Sequence, residues 1–273
     1  MTILFDGRFN TTPNFSLYDR IERSPLPSIP PTISSSEAGS YEIVTDPLGS
    51  GSPVAKLTMK SAPLGRCEIR PFARDIVAAG PDYGELWYAW WDLFPAEWVD
   101  EIPGPADPES NLLSGSKDII AQAHSADDVT DRPHFPHFAI YVEGKKLKFL
   151  RTWDTAAQTT TAAPNLTVHG SWPLEKMRWI EWVLHVNWAA SSNGFFHLYK
   201  DRRLVYSETN APNTYNDAEG PFFKCGFYKF FSSLSPAVRM RYSKGVVIGD
   251  STSSYLEVTG HSALETATIR RVS

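Results

Sequence analysis

Apolar and polar positions alternate with a period of two through most of the chain, the signature of strands with one buried face. Trp179–Trp188 is the clearest case: Ile180, Trp182, Leu184, Val186 and Trp188 fall on one side and Trp179, Glu181, Val183, His185 and Asn187 on the other. Similar short runs occur at Ile3–Phe9, Tyr41–Thr45, Val54–Lys60, Arg66–Arg70, Glu85–Phe94, Ile119–His124, Phe138–Val142 and Lys146–Leu150. They continue at Phe195–Lys200, Leu204–Tyr206, Phe222–Phe230, Val238–Tyr242 and Val246–Gly249. Pro, Gly, Asn, Asp and Ser bound these runs, and Glu143-Gly-Lys145 and Ser192-Asn-Gly194 are hairpin signals. Helical patterning is confined to short segments near Phe72–Ala78 and Pro95–Val99, while Ser24–Ser36 and Pro103–Ser116 read as loops. The pattern predicts an all-β fold in which residues 1–273 form one sandwich of two antiparallel sheets.

Three of these strands carry an unusual polar face. Arg66, Glu68 and Arg70 alternate onto one side, as do Gln122 and His124, and as do Lys224 and Tyr228 together with Phe222, Gly226 and Phe230. Cys67, Cys225, Phe223 and Phe227 take the opposite, apolar side. Gly226 inside a strand marks the close approach of a ligand or another backbone. If the three strands are neighbours, their polar side chains line one cleft. Such a set suits proton abstraction next to a carboxylate: Arg and Gln neutralise the acid, His or Tyr takes the α-proton, and a Tyr hydroxyl protonates the leaving oxygen. No metal or organic cofactor is needed for this chemistry. A retaining glycosidase would need two carboxylates at a defined separation, and no Glu-x-Asp-x-x-Glu strand occurs. The same residues also fit an ion-pair ladder and ordinary polar edge positions. His134 and His137 form a His-x-x-His pair without further metal-ligand spacing and read as loop histidines. If Phe138, Ile140 and Val142 face the core, His137 and Tyr141 face the cleft as secondary binding candidates.

Composition narrows the function classes. Net charge is −5, which argues against a general nucleic-acid binder. No apolar run approaches the roughly 20 residues of a membrane helix, and Met1–Arg8 shows no basic-then-apolar leader. Nine Trp and eleven Tyr suit both a sandwich core and contacts with sugar rings. Two cysteines, Cys67 and Cys225, both on core faces, read as buried free thiols.

Arg66-Cys-Glu-Ile-Arg70 resembles the Arg-Ser/Thr-Glu-Leu-Arg strand of jelly-roll alginate lyases. Gln122-Ala-His124 is similar to their Gln-Ile/Val-His, and Phe222-Phe-Lys-Cys-Gly-Phe-Tyr228 to their Tyr-Phe-Lys-x-Gly-x-Tyr, in the same order. Phe222 and Phe230 stand where those lyases often carry Tyr and Gln. From Trp172 to Asp250 the chain is more similar to the heparin lyase I and glucuronan lyase branch. The resemblance implies a β-jelly roll with a concave cleft, β-elimination on a polyuronate, and 4,5-unsaturated products. It implies Arg70 and Gln122 as carboxylate neutralisers, His124 as base, Tyr228 as acid or combined acid and base, and Arg66, Glu68 and Lys224 as shapers of the site. It further implies a monomeric, extracellular enzyme acting on an anionic polysaccharide, and it allows a structural calcium near the chain termini. The alternatives are a non-catalytic carbohydrate-binding or phage receptor-binding sandwich, and a glycoside hydrolase of similar fold.

Overall fold

A computed structural model describes residues 2–23, 39–60, 66–71, 82–99, 117–229 and 238–262. Two antiparallel sheets face one another. The first contains β1 (Ile3–Asp6), β3 (Gly39–Thr45), β4 (Pro53–Lys60), β6 (Asp82–Leu93), β11 (Trp179–Ala189), β12 (Phe195–Lys200), β13 (Arg203–Thr209) and β15 (Val238–Asp250). Their order is β13-β12-β11-β6-β15-β4-β3, with β1 added along β15. The second contains β2 (Tyr18–Arg23), β5 (Arg66–Pro71), β7 (Lys117–His124), β8 (Phe138–Glu143), β9 (Lys146–Trp153), β10 (Asn165–Pro173) and β14 (Phe222–Lys229), in the order β10-β9-β8-β7-β14-β5-β2. This is the two-sheet sandwich of a β-jelly roll.

The apolar sets predicted from alternation meet between the sheets. Ile180, Trp182, Leu184, Val186 and Trp188 of β11 pack with Trp90 of β6 and with Phe138, Phe223 and Phe227 of the opposite sheet. Cys67 and Cys225 are buried free thiols in the same core. The outer face of β11 and β6 holds a second apolar layer of Trp87, Trp91 and Val183, covered by the short helix α1 (Tyr255–Thr259). Ser254 and Glu257 form a capping box at its start, and Gly260 closes it in the left-handed conformation.

Four features depart from the sequence pattern. Tyr18–Arg23 and Asn165–Pro173 are edge strands that alternation does not reveal: the first is mostly charged in sequence, the second is mostly exposed, and each pairs along one neighbouring strand. Pro95–Val99 is not a helix; the Trp98 amide closes one turn onto the Pro95 carbonyl, and the Trp98 ring packs on Phe94 and Phe227. The two runs at Val238–Tyr242 and Val246–Gly249 are one strand, whose pairing with β6 slips between Ser243 and Val246. Gly245 sits there at φ 105°, where an added Cβ would lie 2.2 Å from the Gly7 carbonyl oxygen. The expected segments Ser24–Ser36, Phe72–Ala78 and Pro103–Ser116, and Phe230, lie outside the described residues.

Candidate active site

The three polar-faced strands are neighbours, in the order β7-β14-β5, running from the central strand of the seven-stranded sheet to the one beside its edge. The register sets Phe222 beside His124, Lys224 beside Gln122, Gly226 beside Glu68 and Tyr228 beside Arg66. Their partners in alternation, Cys67, Ile69, Ala121, Ala123, Phe223, Cys225 and Phe227, belong to the core. Arg66, Glu68, Arg70, Gln122, His124, Lys224 and Tyr228 therefore share the face turned away from the core. Gly226 makes this close packing of β14 on β5 feasible: at φ 148°, a Cβ there would lie 2.2 Å from the Cys67 carbonyl oxygen. The approaching group is thus the neighbouring backbone.

Strict alternation fails at one point of β7. Ile120 and Ala121 both enter the core, and the pairing with β8 and with β14 slips beside them. This irregularity turns Ile119 outward, where it joins Ala139, Tyr141, Leu150 and Tyr228 in an apolar strip on the site face. Tyr141 is therefore on the same strip as Tyr228, with Ile119 between them in the register and the Lys117 ammonium 5.4 Å from the Tyr141 ring centroid. His137 is not brought to this face. It is 1% exposed, its Nδ1 accepts the Tyr215 amide at 3.2 Å, and its ring borders Trp188. Position 137 precedes β8, so the strand's alternation does not govern it.

Glu68, fully buried, organises the site. It accepts a hydrogen bond from Gln122 Nε2 at 2.5 Å and pairs with Arg66 Nε at 3.2 Å. The Gln122 amide is thereby fixed with its nitrogen toward β5, while its Oε1 has no hydrogen-bond partner among the described residues. The Arg66 guanidinium lies 4.2 Å over the Tyr228 ring. Arg70 and Lys224 both lie over the Phe222 ring, at 5.1 and 5.0 Å. Around Glu68 the face thus carries three cations, Arg66, Arg70 and Lys224, and farther along it Lys117 pairs with Glu143.

The proton-transfer groups are tuned by this charge. His124 Nδ1 lies 2.5 Å from the Ser125 carbonyl oxygen, which only accepts, so Nδ1 carries the hydrogen and Nε2 presents a lone pair. Burial and the Lys224 ammonium push the His124 pKa down to about 3; His134 and Arg66 act in the same sense, against the Ser125 carbonyl. His124 is neutral at physiological pH. Burial raises the Tyr228 hydroxyl above its ordinary range, with Arg66 opposing, so Tyr228 is protonated.

Beside His124 lies His134, whose sequence context predicts only a loop histidine. His134 stacks on His124 with centroids 5.5 Å apart, and on Tyr215 at 3.7 Å. Its Nε2 faces Asp217 at 3.1 Å and Asp127 at 3.3 Å, and its Nδ1 faces the Phe135 carbonyl at 3.2 Å. Ser125 Oγ donates to the same Asp217 oxygen. His134 and Asp217 are 83 residues apart in the chain, so no local motif announces the pair.

Asp128, Asp131 and Asp217 come within 4.8 Å of one another, an acidic cluster that by itself makes no metal site. At the chain termini, where the resemblance allows calcium, Asp250 Oδ1 already accepts the Thr252 amide and hydroxyl, and no group of three ligating side chains gathers there among the described residues. Two surface cavities lie away from the site. One is lined by Glu175, Arg178, Lys200 and Asp201, whose charges pair with one another, and the other by Arg8, Trp91 and Lys244.

Comparison with known proteins places this geometry in a family. No match is found among curated protein sequences. Among solved structures, the endo-β-1,4-glucuronan lyase of the fungus Trichoderma reesei is similar over 94% of this chain and 98% of that one, at 16% identity and a TM-score of 0.65. The catalytic domain of a glycoside hydrolase family 131 protein from Coprinopsis cinerea covers 93% and 97%, at 14% identity and a TM-score of 0.50. Alginate lyase A1-II′ of polysaccharide lyase family 7 covers 76% and 82%, at 12% identity and a TM-score of 0.46. At these identities the first two likenesses speak to the fold, which a lyase and a hydrolase share. The family model for polysaccharide lyases matches residues 11–247, most of the chain. The protein belongs to the polysaccharide lyase family and is a polysaccharide-cleaving lyase of the β-jelly-roll type.

Proposed function

We propose that this lyase cleaves a uronic-acid-containing polysaccharide by β-elimination, leaving 4,5-unsaturated ends. The observation that carries the reading is the placement of a neutral His124 and a protonated Tyr228 on one sheet face with Arg66, Arg70 and Lys224. Arg70 and the second N–H of the Gln122 amide, whose first N–H is held by Glu68, bind the uronate carboxylate, which makes the C5 proton more acidic. His124 Nε2 takes that proton. The electron pair forms the C4–C5 double bond, the C4–O bond breaks, and the Tyr228 hydroxyl protonates the departing oxygen. Solvent then returns the proton from His124 to Tyr228. A histidine held near pKa 3 is a weak base at rest. Burial is the first cause of that depression and the cations the second; a bound carboxylate offsets the cationic share, so basicity rises with occupancy. Arg66, Glu68, Lys224 and Tyr141 shape the site, and no step uses a cofactor.

Glu68 is the only carboxylate on the site face of β5, β7 and β14, and it is committed to Gln122 and Arg66. That disfavours hydrolysis, which needs two. The proposal takes residues 1–273 as one catalytic domain working as an extracellular monomer on an anionic polymer. No helix among the described residues is long and apolar enough to cross a membrane. The test is a panel of polyuronates (glucuronan, alginate and glycosaminoglycans) followed by the ultraviolet absorbance of the unsaturated product. Cleavage of at least one, weakening as salt screens the cations, is expected. Cleavage giving only saturated ends would overturn the proposal.

A further inference from the structure

His124 is held from two directions by residues with no role in the scheme above. Its Nδ1–H is donated to the Ser125 carbonyl, and Ser125 Oγ–H is donated to Asp217 Oδ2. The same oxygen takes His134 Nε2–H, and the His134 ring returns to stack on His124 at 5.5 Å with 19° between planes. The circuit closes on itself. Both His134 nitrogens face acceptors: Asp217 and Asp127 at Nε2, the Phe135 carbonyl at Nδ1. A neutral imidazole has one donor and satisfies only one such contact, so the ring is an imidazolium. Its side chain and that of Asp217 are both fully buried, so solvent screens the pair little.

We infer that His134 and Asp217 are positioning residues that keep His124 neutral with its lone pair on Nε2, so that His124 gains basicity only when a substrate carboxylate arrives. This rests on the reading of His124 as the proton acceptor. His134 presents a fixed positive charge to one ring face of His124. From β14 it is joined by Lys224 and from β5 by Arg66; His137 lies behind as a neutral ring. The charged groups that act most strongly on His124 are Lys224, His134 and Arg66. Asp217 meanwhile fixes Ser125, and through it the His124 tautomer. The carboxylates around His134 are Asp217 and Asp127, and Asp131 and Asp128 stand next to Asp217. Burial opposes the charge on His134, and the acidic partners outweigh it.

The size of the effect follows from distance. Removing a unit charge 5.5 Å away raises the His124 pKa by about 0.5 to 2 pH units, for an effective dielectric between about 80 and about 20.

The experiment is nitrogen-15 NMR titration of the histidine side chains in the intact protein and in His134→Gln, paired with the pH profile of kcat/KM on a cleaved polyuronate. In the unmodified protein, His134 should be doubly protonated near neutral pH while His124 is neutral and protonated at Nδ1. A neutral His134, or a His124 protonated at Nε2, would overturn the inference without any variant. In His134→Gln the His124 pKa should rise, and the acid limb of kcat/KM should move with it. A merely structural role would lower kcat or the melting temperature and leave the limb in place. An unmoved His124 pKa overturns the inference. A moved pKa with an unmoved kinetic limb upholds the inference and overturns the assignment of His124 as base.

Discussion

Gly226→Ala isolates the packing that builds the site. At φ 148°, position 226 is in a region that L side chains rarely adopt, and its Cβ would lie 2.2 Å from the Cys67 oxygen and 2.5 Å from the Glu68 Cα. Both are backbone atoms, so no side chain can rotate away; β5 must separate from β14. Backbone strain of about 1–3 kcal/mol adds to overpacking of about 1–3 kcal/mol, a loss of roughly 2–6 kcal/mol. The separation falls where Glu68 holds Gln122 and Arg66, so activity should fall more steeply than the folded fraction. Gly49→Ala is the control. Gly49 also has positive φ, at 84°, but nothing lies within 4 Å of its Cβ. It should cost only the conformational share, about 1–2 kcal/mol. Urea unfolding of both variants, with turnover at a temperature where each is folded, measures the difference. Equal losses in the two variants, or full activity in Gly226→Ala, would refute the close-approach argument.

Tyr228→Phe removes one hydroxyl and leaves the ring beneath Arg66, so turnover should fall by about 10²-fold or more while the melting temperature stays within error; near-normal turnover would remove Tyr228 from the chemistry. Glu68→Gln should weaken both contacts of a buried carboxylate, at about 3–5 kcal/mol, and an unchanged urea midpoint would show that Glu68 does not organise the face. Acidification should destabilise the fold. His124 and His137 are held below their ordinary range, so below about pH 6.5 the unfolded chain binds protons that the folded chain refuses. Each contributes a slope of about 1.4 kcal/mol per pH unit, lost stability accumulating toward pH 3 for His124; the raised His134 acts above about pH 6.5 instead, where its stabilisation is lost as pH rises, and leaves the acid slope unchanged. His137→Asn should flatten the slope measured by urea unfolding across this range; an unaltered slope would mean that His137 titrates normally.

The sandwich and most of the site face were legible because burial imposes a period of two. Trp182 and Phe227 had to face inward, and Arg70 and Lys224 outward. Edge strands such as Tyr18–Arg23 were not, because backbone pairing leaves no periodic trace in side chains. Ile120 defeated the pattern for a related reason: an irregular pairing puts two successive residues on one face. His137 escaped because it lies before the strand whose parity was applied to it. Asp217 had no local signature at all, since its link to His134 and Ser125 exists only after the loops fold over the end of the sheet.

The proposed function depends on a carboxylate on the sugar. The direct measurement takes a polyuronate that the protein cleaves, reduces its carboxyls to primary alcohols, and repeats the assay by both absorbance and chromatography. The reduced polymer should be inert, and on the native polymer Arg70→Ala should lose roughly 10²–10³ in rate, the usual cost of one preorganised donor. Continued cleavage of the reduced polymer would contradict β-elimination and return Arg70 to a structural role.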